Sequence, residues 1–268
     1  MGLAIISGES RAGFWSGSAG SWVDLHPVGA TSSEALGAWG PIQAGWAKFG
    51  GVEHAGFWSG SAGSWVDLHP AGSTFSLAYG AWAANQVGRA DVGGVARASL
   101  WSGTAASWVD LHPAGATFSV AYGAWGPNQV GFALIGGVRH ASLWSGSAAS
   151  WVDLHPAGAI HSIAYGAWGS FQVGWAIVGG VARASLWSGS AASWLDLHAL
   201  LPSDFSSSTA RAMSDDGINY YISGWGYNVT TGREEALLWT MPVPEPGTMA
   251  VFAIGFGALA LTRRKPRR

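Results

Sequence analysis

An aspartate and a histidine two residues apart recur five times, as Asp24/His26, Asp67/His69, Asp110/His112, Asp153/His155 and Asp196/His198. Each pair sits in Trp-Val-Asp-Leu-His, with Leu195 replacing the Val in the last copy. On an extended strand Trp151, Asp153 and His155 point to one face, and Val152 and Leu154 to the other. A carboxylate beside an imidazole can serve as a metal-ligand pair or as a base with its orienter. The same two groups also hydrogen-bond to each other or to nearby backbone. Repetition at identical spacing favours the second use, because a catalytic site needs one special environment while a packing device is copied with its unit. The pairs are therefore read as structural, with no catalytic residue and no metal ligand among them. A ring of histidines could hold an ion only by converging on an axis. A strand that comes last in its unit is outermost, which disfavours convergence.

Other chemistry would have to break the repetition. Glycoside hydrolysis needs two carboxylates about 5–10 Å apart. The divergent last unit, with Asp204, Asp215, Asp216, Glu234 and Glu235, is the place to look for them. Trp46 and Trp175 are candidate glycan-stacking platforms, since Arg89 and Phe132 replace them in other units. Most of the 18 tryptophans are expected to fill core. Asn228-Val229-Thr230 matches a glycosylation acceptor. The sequence holds no GxSxG, phosphate loop, HExxH or EF-hand calcium loop. No cofactor is called for.

The elements that carry these residues follow from a repeat of 43 residues without insertion, over 28–70, 71–113, 114–156 and 157–199. In 114–156 four strand-like runs, FSVAYGAW, QVGFALI, RHASLW and SWVDLH, are separated by Gly126-Pro127-Asn128, Gly136-Gly137 and Ser145-Gly146-Ser147. Gly-Gly between apolar runs signals a hairpin, because its tight turn needs positive φ. Phe118, Val120 and Tyr122 alternate with Ser119, Ala121 and Gly123, so the second face is small rather than polar. Such a sheet cannot hide both faces alone, and stacked neighbours with Trp between them would cover it. Four strands per unit of this size predict an all-β fold, a propeller-like array of four-stranded blades, with a linear β-solenoid as the alternative. Residues 1–27 match a unit from its second strand onward, and 200–241 form a divergent unit without the last strand. Residues 1–241 thus read as one repeat domain. Met1 stands where other units have Ala44, Val87, Val130 and Val173, from which the reading frame is expected to extend upstream through a first strand and a secretory signal.

Composition narrows the function classes. Charged residues are only 10% of the chain, and there is no cysteine, which excludes disulfides and thiolate chemistry. Five of the 13 Lys and Arg lie in the last six residues, leaving eight basic against 15 acidic groups in residues 1–247. That body is a poor match for nucleic acid.

The last unit runs DDGINYYISGWG then EEALLWT, and an internal one runs QVGFALIGGVRHASLW then WVDLHP. These segments resemble HAF-type extracellular repeats, with a GIN-like turn, a VG-containing strand, an HAFLW-like strand and a DLG-like strand. His26, His69, His112 and His155 depart from that pattern, which more usually has Gly or Asn there. The resemblance implies export and a propeller-like fold, and no known reaction.

Residues 242–268 read PVPEPGTMAVFAIGFGALALTRRKPRR. They hold Pro244-Glu245-Pro246, then an apolar run, then the basic cluster Arg263, Arg264, Lys265, Arg267 and Arg268. This tail resembles PEP-CTERM sorting signals, whose implied partner is an exosortase-type membrane protease that cleaves near the PEP motif. Basic residues after an apolar segment stay cytoplasmic, which puts the body outside. Residues 248–262 are predicted to form a lone helix that lipid covers before processing. The sequence thus predicts a non-enzymatic, exported surface or extracellular-matrix protein, associated with exopolysaccharide. A carbohydrate-binding or carbohydrate-degrading propeller is the alternative.

Overall fold

The computed structural model describes residues 1–243. They form six small antiparallel sheets in chain order. The first holds β1 (Gly2–Ile6), β2 (Glu9–Phe14) and β3 (Val23–Asp24). The second holds β4 (Ser32–Trp39), β5 (Ile42–Phe49), β6 (Val52–Trp58) and β7 (Val66–Asp67). The third holds β8 (Ser73–Trp82), β9 (Asn85–Val92), β10 (Val95–Trp101) and β11 (Val109–Asp110), and the fourth β12 (Ala116–Trp125), β13 (Asn128–Ile135), β14 (Val138–Trp144) and β15 (Val152–Asp153). The fifth holds β16 (Ser162–Trp168), β17 (Phe171–Val178), β18 (Val181–Trp187) and β19 (Leu195–Asp196), and the sixth β20 (Phe205–Asp215), β21 (Asn219–Asn228) and β22 (Arg233–Pro242). Helix among the described residues is confined to three-residue 3-10 turns. By internal contacts the chain groups into two compact units, one ending at Asp153 with four sheets and one beginning at Leu154 with two.

The four-stranded units with their missing first and last strands stand where the repeat predicts them. Two details differ from the sequence reading. The fourth strand is two residues long, so the five-residue alternation fails: Leu68, Leu111 and Leu154 are fully buried, while Val109 is 36% exposed. The reason is local. The Leu111 N–H still bonds the Ala98 carbonyl across to β10, but the His112 N–H turns back to the Asp110 carboxylate, ending the ladder. The second difference lies in the first strand of each unit, where a bulge interrupts the register at Ala35/Gly37, Ala78/Gly80, Ala121/Gly123 and Ala164/Gly166. The intervening Leu36, Tyr79, Tyr122 and Tyr165 leave the simple alternation as a result.

One large ring fills the space between neighbouring sheets. Fully buried Trp101 packs on Ala44, Ala55 and Leu68 of the second sheet and on Ala78 and Ala90 of its own. Trp58 does the same against Ala12, Leu25 and Ala35. In the second unit Trp239 packs among Ala184, Leu197 and Ala210. The small faces noted in the sequence are the seats for these rings. First strands also come close in sequence order: a Cβ on Gly37 would lie 2.4 Å from the Tyr79 carbonyl oxygen, and one on Gly80 2.7 Å from that of Tyr122. As a result Trp39, Trp82 and Trp125 form a triangle with ring centroids 5.5–5.8 Å apart. Contact between Trp39 and Trp125, two sheets apart, shows that the first strands of this unit converge at that end.

Candidate functional site

Every Asp-x-His pair is built into a clamp. The Asp ends a two-residue strand, and its Oδ1 accepts the backbone N–H of His26, His69, His112 or His198 at 2.8–2.9 Å. Its Oδ2 meets a cation or imidazole thirteen residues earlier: Arg11–Asp24, His54–Asp67, Arg97–Asp110, His140–Asp153 and Arg183–Asp196, at 2.7–3.1 Å. The His reaches forward. Its Nδ1 lies 2.8 Å from the Oγ of Ser33, Ser76, Ser119, Ser162 or Ser208 in the next sheet's first strand. Four of these serines are also seen to accept a backbone N–H from the preceding sheet, from Ala12, Ala55, Ala98 and Ala184. In four clamps Nε2 lies 2.9–3.0 Å from a carbonyl oxygen, which only accepts, so Nε2 carries the proton and donates. The Ser hydroxyl then donates to Nδ1. A neutral imidazole satisfies all of these bonds at once, leaving the ring no free nitrogen for a metal or a substrate. The Arg or His thirteen residues before each Asp was readable from the register and was not singled out in the sequence.

The clamp sets two expectations. Asp110→Ala or His112→Ala should cost roughly 1–3 kcal/mol, the range for a buried hydrogen bond lost with its partner left behind. His69→Ala should cost a similar amount in denaturant unfolding, because its surroundings repeat. The second concerns pH. Burial, helped by the neighbouring His54, pushes the His69 imidazole below its ordinary value of 6.5, and burial lowers His198 too. The folded chain then binds these protons less tightly than the unfolded chain. Stability is unaffected well above 6.5 and is lost as pH falls below it. The thermal midpoint should therefore drop between about pH 7 and 5, with a shallower slope in a His69→Asn/His198→Asn variant.

The inner strands carry the charges that break the repeat. Arg89 lies 4.5 Å from the Phe75 ring centre and 5.5 Å from that of Phe118, with its Nε 3.5 Å from the Asp91 carboxylate. Burial first, with Asp91 and Glu34 adding to it and Arg89 opposing, raises the Tyr79 hydroxyl above its ordinary value, so it stays a hydrogen-bond donor. Trp46 and Trp175 occupy the position equivalent to Arg89. Both are half-buried, Trp46 opposite Glu34 and Trp175 with its indole N–H on the Tyr165 hydroxyl at 3.1 Å. Phe132, the fourth residue of this series, is buried against Phe118 and Tyr122.

The acidic residues of the last unit fall into two groups. Asp204, just before the eleven-residue β20, shares Asn228 Nδ2 with Glu235, which brings these two carboxylates close together, while Asp215 ends that strand beside Asp216, about 35 Å from Asp204 at strand rise. Asp216 accepts the N–H groups of Ile218 and Asn219 and the Tyr221 hydroxyl, with those backbone donors holding its carboxyl below its ordinary value. Asp215 accepts from the Trp168 indole and the Gly217 N–H. Asp204 and Glu235 both accept from Asn228 Nδ2, and Glu235 also from Thr231. Asn228 is fully buried, with Oδ1 accepting from Thr230 and Thr231, so the acceptor motif at 228–230 is a turn device.

What lies beyond residue 243 decides where the chain goes. Residues 242–268 match the family model of the PEP-CTERM protein-sorting motif. A PEP-CTERM tail is recognised by exosortase, a membrane protease, and implies export with a transient anchor at the C-terminus. The PEP residues 244–246, the predicted helix 248–262 and the basic cluster 263–268 lie outside the described residues. Among the described residues no helix is long and apolar enough to cross a membrane. No curated protein matches the chain. Among solved structures the chain is similar to the putative TolB from Agrobacterium tumefaciens, with a TM-score of 0.52 and 12% identity over 87% of this chain and 76% of that one. At that identity the likeness concerns the fold alone.

Proposed function

We propose that this chain is an exported, exosortase-sorted surface or extracellular-matrix repeat protein, non-enzymatic and associated with exopolysaccharide. One observation carries the non-catalytic reading: the side chains with chemical potential are copied in every unit and spent on clamps between neighbouring sheets. The body is read as a propeller-like array of HAF-type units. Convergence of first strands at the Trp39–Trp82–Trp125 triangle and the fold likeness both support that reading. The test is processing. In a host with an active exosortase, the chain should lose its tail near Pro244–Pro246 and leave the membrane fraction. A Pro244→Ala/Glu245→Ala/Pro246→Ala variant should keep the tail and stay membrane-bound. Equal release of both forms would defeat the proposal.

A carbohydrate-binding reading has one observation of its own. Trp15 and Trp39 are 38% and 37% exposed, offering aromatic faces that stack on sugar rings. A glycan array probed with the full chain and with Trp39→Ala separates this reading from a purely structural one.

A further inference from the structure

Charge breaks the repeat on the first and second strands of the second and third sheets. Glu34 stands on β4 where later sheets have Leu77, Val120 and Ile163, and Arg89 and Asp91 stand on β9 where the fourth sheet has Phe132 and Leu134. These charges are not spent as those of the clamps are. Arg89 is held between the Phe75 and Phe118 rings, remains 22% exposed, and makes no hydrogen bond among the described residues. Its Nε and the facing Asp91 Oδ1 are buried with a charge contact of 3.5 Å and no hydrogen bond. Half-buried Glu34 has neither an ion pair nor a hydrogen bond among those residues. Its cross-strand partner is Trp46, which puts carboxylate and indole on one face of the sheet. The Tyr79 hydroxyl, equally without a hydrogen bond there, feels the charges of Glu34, Arg89 and Asp91, so all four groups share one neighbourhood. Close passage of β4 and β8 at Gly37 and Tyr79 brings the two sheets' groups together.

We propose that Glu34, Trp46, Tyr79 and Arg89 form a binding site for one neutral sugar unit of a polysaccharide. The inference rests on the carbohydrate-binding reading and gives it a place and a sugar class. A pyranose hydroxyl both donates and accepts, so it calls for donors and acceptors side by side. Arg89 and Tyr79 donate, Glu34 and Asp91 accept, and Trp46 offers a ring face to the C–H bonds of the sugar. Charge selects against acidic sugars. Two carboxylates stand beside one guanidinium, and Lys48, the cation on the same strand as Trp46, is paired with Glu53 at 3.3 Å. A uronate or a sulfated sugar would meet net negative charge, while a neutral hexose makes its hydrogen bonds without that repulsion. The rings of Phe75 and Phe118 already fix the guanidinium, so little is lost in ordering it on binding.

The experiment titrates the purified full chain by calorimetry with neutral glucan and mannan oligosaccharides, and with polyuronate oligosaccharides of equal length. The expected result is saturable binding of a neutral oligosaccharide, with polyuronate bound about tenfold or more weakly. Glu34→Val and Arg89→Phe/Asp91→Leu install the residues that the fourth sheet carries at the same repeat positions, so the fold already accepts them. Each should weaken binding about tenfold or more, while the free chain still unfolds cooperatively. Tyr79→Phe keeps the ring and removes only the donor, so it tests the site should either of those variants misfold, and it too should weaken binding. Neutral-sugar binding that survives all three variants, or that only Trp39→Ala abolishes, would overturn the site and leave the carbohydrate reading standing. A preference for polyuronate would overturn the sugar class. Absence of binding to every probe would remove the carbohydrate reading itself, and the site with it.

Discussion

Trp101→Ala is expected to lower the stability of the folded chain by about 3–5 kcal/mol. The ring is fully buried, and its seat is made of Ala44, Ala55, Leu68, Ala78 and Ala90. Four of these five are alanines, with no longer side chain to swing into the void, so the cavity cannot collapse and the cost sits at the high end. A second variant separates ring volume from polarity. The indole nitrogens of Trp58, Trp101 and Trp144 are buried without a hydrogen-bond partner, whereas that of Trp239 donates to the Leu197 carbonyl at 3.1 Å. Trp101→Phe removes an unsatisfied donor along with part of the ring, so it should cost much less than Trp101→Ala. Trp239→Phe gives up a real bond and should cost more than Trp101→Phe. Denaturant unfolding of the three variants checks the order, and equal costs for the Phe variants at 101 and 239 would contradict it.

What was legible in the sequence, and what was not, divides along physical lines. The insertion-free period showed the sheets, their order and the absent strands at either end, because identical segments meet identical neighbours. Hairpin turns were legible for the same reason that Gly50-Gly51 and Gly93-Gly94 are needed: all four glycines have positive φ. The clamp was half legible. Repetition marked Asp110 and His112 as structural, but the partners Arg97 and Ser119 lie thirteen residues back and seven forward. Spacing alone does not reveal a contact between strands. The bulge was not legible, because a two-residue period looks continuous until a backbone partner is counted. Seating of the Trp just before each fourth strand depends on a single atom pair. Trp108, Trp151 and Trp194 donate to the hydroxyls of Ser99, Ser142 and Ser185 at 2.9 Å. Where Gly13 and Gly56 replace that Ser, the Trp22 and Trp65 rings drop to about 2 Å from where a Cβ would stand. They then tilt against Trp15 and Trp58, with centroids 4.6 Å apart. Ser for Gly reads as a neutral change in a list of residues, yet it moves a ring.

Gly88→Ala is expected to destabilise by about 3 kcal/mol or more, a large effect for one methyl group. The added Cβ would stand 1.9 Å from the Leu77 carbonyl oxygen and 2.9 Å from the Ala78 Cα. Both are backbone atoms of β8, so no rotamer change relieves the clash. The ladder between β8 and β9 must open, at the point where Ala78 pairs with Gly88 and the bulge before Gly80 already interrupts the register. Opening there also displaces Tyr79, whose carbonyl sits against Gly37 of the preceding sheet, so the damage spreads to a second sheet. Gly93→Ala is the control. It has a left-handed φ of 62° and nothing within 4 Å of an added Cβ. Its cost should be the conformational one alone, about 1–2 kcal/mol. If the loss at position 88 were no greater than at 93, the close approach of β8 to β9 would not be what Gly88 serves. Amide exchange across Asn85–Val92 would show where the sheet opens, and protection lost in the third sheet before the fourth is the pattern the packing requires.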